Sequence, residues 1–145
     1  MITDKRLVYT DDSGRTCIVC PSEEWHGTAE ELAIHIGINS YALKYASDIP
    51  TDRTFRNAWK ADLSVDMVKA RIILRDKMRI ARAPLLADLD TQYMRADEAN
   101  NAQQKAAITQ QKQTLRDITA LPAIDAASTP EQLKAAWPTN LLGDL

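Results

Sequence analysis

The stretch DMVKARIILRDKMRIARAPLLADLDTQYMRADEANNAQQKAAITQQKQTLRDIT, residues 66–119, decides the fold. It holds no Gly and one Pro, Pro84, and is dominated by Ala, Leu, Met, Arg, Lys, Gln and Asp. Strong helix formers prevail, so the segment reads as helix almost throughout. Met67, Ala70, Leu74, Met78, Ala81, Leu85, Leu89 and Tyr93 recur at steps of three and four. That spacing predicts an apolar stripe down a long helix over 66–97, with Asp66 as its cap. After a polar break at Asn100 and Asn101, the residues Ile108, Leu115 and Ile118 resume the spacing, with Gln111 on the same line. A second helix over 101–119, folded back as an antiparallel hairpin, follows from this. Pro84 removes one backbone bond and crowds the carbonyl four residues back, which predicts a kink or break near Arg82. Such a hairpin has one thin apolar seam and much exposed surface, which suits holding a partner better than enclosing a substrate.

Upstream, residues 6–10 and 15–20 are β-prone runs separated by Asp11-Asp12-Ser13-Gly14, a hairpin with its turn chemistry in place. Thr28 followed by Glu31 is a capping box ahead of Leu32, Ala33 and Ile36, and Gly37 sits where the helix end needs positive φ. Tyr41, Leu43 and Tyr45 alternate with Ala42, Lys44 and Ala46, which predicts a third strand beside the hairpin. Residues 47–50 then form a linker, after which Thr51 or Asp52 caps a short helix with Phe55, Ala58 and Trp59 on one side. Downstream of Thr119 the chain reads as irregular until Thr129-Pro130, which starts a last short helix over 129–137 carrying Leu133, Ala136 and Trp137. The fold class expected is α+β: a small N-terminal ββαβ head over 1–50, then a helical arm over 51–145. The arm is a long kinked antiparallel helical hairpin and a short C-terminal helix.

The 145 residues carry a formal net charge of −2, which argues against a globally basic nucleic-acid binder and against a polyacidic tail. Two cysteines make no disulfide framework. Cys17 and Cys20 fall within one expected strand and point to opposite faces, so they read as reduced packing residues of a cytoplasmic product. The sequence from Met1 to Arg6 lacks the apolar run of a signal peptide, and no run of about 18 apolar residues occurs anywhere. A protein that stays off the membrane and off the general secretory route is expected.

Three segments carry a family resemblance: DIPTDRTFRNAW at 48–59, RDKMRIARAPLLADLD at 75–90, and KQTLRD at 112–117 with TPEQLKAAWP at 129–138. Together they resemble small proteins of the tail modules of tailed bacteriophages, many of them described as tail assembly chaperone-like. The resemblance spans residues 48–138, with the N-terminal hairpin a looser match. It implies a phage tail or tail-fibre protein as partner, residence in the host cytoplasm during assembly with retention in the virion tail as the alternative, and no catalytic residues to carry over.

Catalytic and metal chemistry find little support in the residues themselves. Cys17, Cys20, His26 and His35 can be written as a zinc set, but their spacing is unlike a finger and His35 lies on the polar side of its helix. Asp88 and Asp90 are two apart on a helix and point in different directions, so they cannot share a proton or a metal. Neither a nucleophile elbow nor a Gly-rich phosphate loop is present. No cofactor, no metal and no enzymatic activity are expected.

Arg71, Arg75, Arg79 and Arg82 form a basic stripe at helical spacing. Its default reading is a solvated face with local partners such as Asp76; an acidic protein surface or a nucleic-acid backbone are the alternatives. Trp59 and Trp137 each sit on a short helix beside a linker and read as core pins or as interface anchors. The expected partner-binding set is Trp59, Met67, Leu74, Met78, Leu85, Leu89, Tyr93 and Trp137, with Met94 read as core. The leading reading is a non-enzymatic tail protein working through protein contacts, with a homo-oligomer as one form. A nucleic-acid or regulatory module using the basic stripe is the competitor.

Overall fold

The computed structural model describes residues 4–145, so the reading of the chain's start at Met1, Ile2 and Thr3 lies outside the described residues. The chain forms two compact units, the first ending at Ala70 and the second spanning Arg71–Leu145. The architecture is α+β, with a three-stranded antiparallel sheet and one helix in the first unit and helices alone in the second.

In the first unit, β1 (Lys5–Thr10) is central, flanked by β2 (Thr16–Val19) and β3 (Ala42–Tyr45), both antiparallel to it. The register aligns Leu7 with Val19 on one side and Leu43 on the other. Period-2 alternation therefore places these three apolar side chains in one row. Helix α1 (Ala29–His35) covers that row, so Leu7, Ala29, Leu32 and Ala33 make a buried cluster with Val19, Trp25, Tyr41 and Leu43 packed on it. The expected capping box is present: the Glu31 amide donates to the Thr28 hydroxyl at 3.1 Å, and the Thr28 amide donates to the Glu31 carboxylate at 2.8 Å. At the other end Gly37 adopts φ +76°, letting its own amide reach Ile34 O at 3.2 Å and the Ile38 amide reach Ala33 O at 2.9 Å. That pair of bonds is a Schellman closure, which a residue with a Cβ makes only under strain.

The first unit extends well past residue 50. Thr16 is buried and its hydroxyl donates to the carbonyl of Trp59, while Arg56 Nη1 donates to Thr16 O at 2.8 Å. Phe55, Ala58 and Trp59 are buried as expected, but they lie on a 3-10 turn (Arg56–Ala58) with no side-chain cap; Asp52 instead binds the Thr54 amide at 2.9 Å. A further small hairpin pairs Trp59 with Val65, with Leu63 at φ +70° in its turn. Segment 51–66 is thereby part of the sheet unit and not the start of an arm.

Helix α2 (Met67–Glu98) opens with Asp66 accepting from the amides of Val68 at 3.0 Å and Lys69 at 3.2 Å, as its capping role requires. It continues unbroken through Pro84, so of the kink or break expected near Arg82 the break is absent. Pro84 is exposed, and so is Ile80, whose carbonyl loses its donor, so the acceptor left over lies on the outer side of the helix and not in the core. The helix ends at a Schellman closure: the Asn100 amide donates to Asp97 O and the Asn101 amide to Ala96 O, both at 2.9 Å, with Asn100 at φ +53°. Asn101 then caps α3 (Ala102–Asp117) by accepting from the Gln104 amide at 3.0 Å. Two adjacent asparagines thus stop one helix and start the next, which makes the hairpin tight.

Along the hairpin Leu89, Ala96, Ile108 and Leu115 form a buried cluster with Leu86, Tyr93 and Leu142 against it. Lys105 pairs with Asp97 at 2.7 Å, and Lys112 pairs with Asp90 while lying 5.7 Å from the Tyr93 ring centre. The Asp97 carboxylate raises the Lys105 pKa above its ordinary value. Beyond α3 come a 3-10 turn (Ile118–Ala120), α4 (Pro122–Ala126), α5 (Pro130–Ala135) and α6 (Thr139–Leu142). Helix α5 begins as expected, with Thr129 accepting from the Gln132 amide at 3.2 Å and Pro130 at the first position. The segment after Thr119, expected to be irregular, holds α4, and α6 lies beyond Pro138, where no helix was expected. Both are too short to show a 3.6-residue period, so periodicity could not reveal them.

Candidate functional site

The four arginines of the basic stripe have different fates, set by the side of α2 each occupies. Arg71 donates to Ile124 O at 3.2 Å and Ala127 O at 2.8 Å. Arg75 donates to Thr119 O at 3.0 Å and pairs with Asp125 at 2.8 Å. Arg82 Nη1 donates to Leu115 O at 3.1 Å and Arg116 O at 2.7 Å. The carbonyls they reach lie in the last turn of α3, in the 3-10 turn and at the end of α4. Those are the places where helix ends leave acceptors without intrahelical donors and where the dipole favours a cation. Only Arg79 fits the expected solvated role, pairing with Asp76 at 2.6 Å on an exposed surface. The stripe is therefore mostly an internal clamp within the helical unit.

The expected partner-binding residues also divide. Trp59, Leu74, Met78, Leu89 and Trp137 are buried within this chain, Met67 and Tyr93 are half-buried, and Leu85 is exposed. Trp59 is flanked by the guanidinium groups of Arg53 at 5.2 Å and Arg56 at 4.8 Å from its ring centre. Trp137 Nε1 donates to Gly143 O at 2.7 Å, folding the C-terminal segment back over α6. Both tryptophans act as pins, the first of the two roles expected for them.

Leu85 and Leu89 line a groove of about 310 Å³ between α2, α3 and α6. Leu115 and Leu141 complete its apolar surface, and Asp88, Gln111, Thr114 and Asn140 supply polar groups around it. Leu85 and Leu141 remain 38% and 36% exposed. The groove exists because Leu142 joins the hairpin core while its neighbour Leu141 turns outward. Its size suits one or two apolar side chains of a peptide segment, at the small end of binding cavities. Sequence reading reached Leu85 and Leu89 but not Leu141 or Asn140, because α6 gave no periodic signal.

A second surface is the outward side of α2, where Ile72, Ile80 and Met94 are 54%, 74% and 64% exposed. Met94 was expected in the core and is not there: it falls on the opposite side of the helix from Leu89 and Ala96. The available signal was that Ile72, Ile80 and Met94 lie off the Leu74–Leu89 stripe.

Cys17 is half-buried in β2, opposite Tyr9, and Cys20 lies exposed one residue past the strand and not within it. The Cys17 thiol across the strand pair from Tyr9 pushes the Tyr9 phenol above its usual pKa. Among the described residues, no group of three or more His, Cys, Asp or Glu side chains comes together to hold a metal ion, so the Cys17, Cys20, His26 and His35 spacing does not become a ligand set. No helix among them is long and apolar enough to cross a membrane. Comparison with protein-family models, with curated proteins and with solved structures finds no match.

Proposed function

We propose that this chain is a non-enzymatic component of a bacteriophage tail module, acting through protein contacts as an assembly chaperone or a minor virion component. The observation that carries the reading is the groove of Leu85, Leu89, Leu115 and Leu141 on a rigid hairpin. An exposed apolar cleft with polar groups at its edge fits an apolar side chain of a partner, flanked by groups that hydrogen-bond Asp88 and Asn140. The tail context comes from the resemblance of segments 48–59, 75–90, 112–117 and 129–138. The partner is a tail or tail-fibre protein.

A nucleic-acid role for the basic stripe is less well supported, because phosphate binding would have to withdraw Arg71, Arg75 and Arg82 from carbonyls they already serve. The test is co-expression with each neighbouring tail protein, followed by assay of washed particles. A soluble complex with one of them supports the reading. Stoichiometric retention in particles then selects the virion component, and its absence selects the chaperone. Failure to bind any of them removes the reading.

A further inference from the structure

We propose that the cleft at the end of β1 binds a small planar amide, whose adjacent N–H and C=O pair with the main chain of Thr10 and continue the sheet by one rung. The alternation of ladder bonds carries the inference. The Ala46 amide donates to Asp4 O at 2.8 Å, and the Asp11 amide donates to Arg15 O at 2.9 Å. Even-numbered residues of β1 therefore direct their N–H and C=O toward β3, and odd-numbered ones toward β2. On the β3 side the register stops at Val8 and Ala42, although β1 runs on to Thr10. Thr10 thus presents a donor and an acceptor in the plane of the sheet, and neither bonds to a described group.

Thr10 lines a cleft of about 390 Å³ in the sheet unit, with room for a single ring. Tyr41 packs on the cluster beneath α1, and Tyr9 shares that side of the sheet with Leu7. Ala61 borders the cleft from the other side, on the segment whose Trp59 carbonyl takes the Thr16 hydroxyl. A flat group in line with Thr10 therefore meets an aromatic wall and an aliphatic one. Ser40 and Tyr41 already border the opening, so a through-going peptide strand has no path, whereas a ligand with one amide edge does.

The groups this ligand meets are ones the chain leaves unused. Asp62 is held by the Ser64 amide at 2.9 Å and its hydroxyl at 2.6 Å, so it is not counted among them. Lys44 lines the cleft half-buried and makes no ion pair among the described residues. Its ammonium favours an acid group on the ligand over a basic one. The inference rests neither on the groove of Leu85 and Leu141 nor on the tail reading.

Amide proton–nitrogen NMR spectra of the full chain, titrated with benzamide and with 3-carbamoylbenzoate, test the proposal. Benzamide moves the Thr10 amide downfield, with Ser40 and Tyr41 shifting alongside, at a dissociation constant of about 1–10 mM. The carboxylate of 3-carbamoylbenzoate tightens binding about threefold, and Lys44→Met removes that gain. N,N-dimethylbenzamide, which keeps the carbonyl and has no N–H, moves none of the three amides. Ala61→Phe, checked for folding by circular dichroism, fills the cleft and abolishes the shifts. No shift at Thr10 with benzamide at about 50 mM overturns the proposal. Equal shifts from N,N-dimethylbenzamide also overturn it, since the ring would then bind without the main-chain pair. A gain from the carboxylate that survives Lys44→Met overturns the role given to Lys44.

Discussion

Arg82 Nη1 donates to Arg116 O at 2.7 Å, and the same nitrogen reaches Leu115 O at 3.1 Å, so a cation on α2 closes the C-terminal end of α3. Arg75 and Arg71 do the same for the turns that follow, and their acceptors advance along the sequence as the arginine numbers fall. The ladder fixes α2 antiparallel to the chain that returns along it.

Replacing Arg82 by Ala leaves two carbonyls to water at a helix end, and the expected loss is about 1–2 kcal/mol. In a chain of this size that is a fall of about 3–6 °C in the melting midpoint. Arg79→Ala removes only an exposed pair and is expected to cost less than about 0.5 kcal/mol. Thermal denaturation of the two variants side by side checks the difference.

Asn100 holds a left-handed conformation between the two helices. Asn100→Gly is expected to be neutral or slightly stabilising, and Asn100→Val to cost about 1–2 kcal/mol, since a β-branched residue resists positive φ. Urea unfolding distinguishes them, with a change in midpoint and not in slope.

Leu74 is fully buried, and Ile80 stands in water on the same helix. Leu74→Ala is expected to lose about 2–5 kcal/mol, and Ile80→Ala to stay within about 0.5 kcal/mol of the native chain. Equal losses in denaturant titrations would mean that the inward and outward sides of α2 have been assigned wrongly.

Asp11 accepts hydrogen bonds from Ser13 and from the amide of Arg15 in the β1–β2 turn, and the Ser13 side chain first, then Arg15, hold its carboxyl well below the usual value. The folded state therefore binds this proton less readily than the unfolded state. The contribution is fully present above the unfolded value of about 4 and is lost as pH falls below it toward the depressed folded value. Asp11→Asn should flatten the acid limb of the melting curve against pH below about 4 and leave its shape at neutral pH unchanged.

Much of the fold was legible because it is written in local chemistry. Thr28 with Glu31, Asp66, Thr129 with Pro130, and the turn at Asp11 each state their own geometry within four residues. The hairpin of α2 and α3 was legible from the stripe through Leu74, Met78 and Leu89. What was not legible depended on who meets whom. No periodicity says that Arg71, Arg75 and Arg82 find carbonyls more than 30 residues away, or that Leu141 turns outward beside Leu142. The two tryptophans, read as core pins or interface anchors, are buried within the chain, and the exposed apolar surface lies at the groove and at Ile72, Ile80 and Met94 instead of along the buried stripe.

The most direct test is light scattering of the purified chain mixed with each neighbouring tail-gene product in turn, beside the Leu141→Asp variant and an Ile34→Asp control on the sheet unit. The account predicts a soluble complex with one tail or tail-fibre protein, retained by the control and weakened at least about tenfold by Leu141→Asp. No complex with any tail product, or a Leu141→Asp variant that binds as tightly as the native chain, would contradict it.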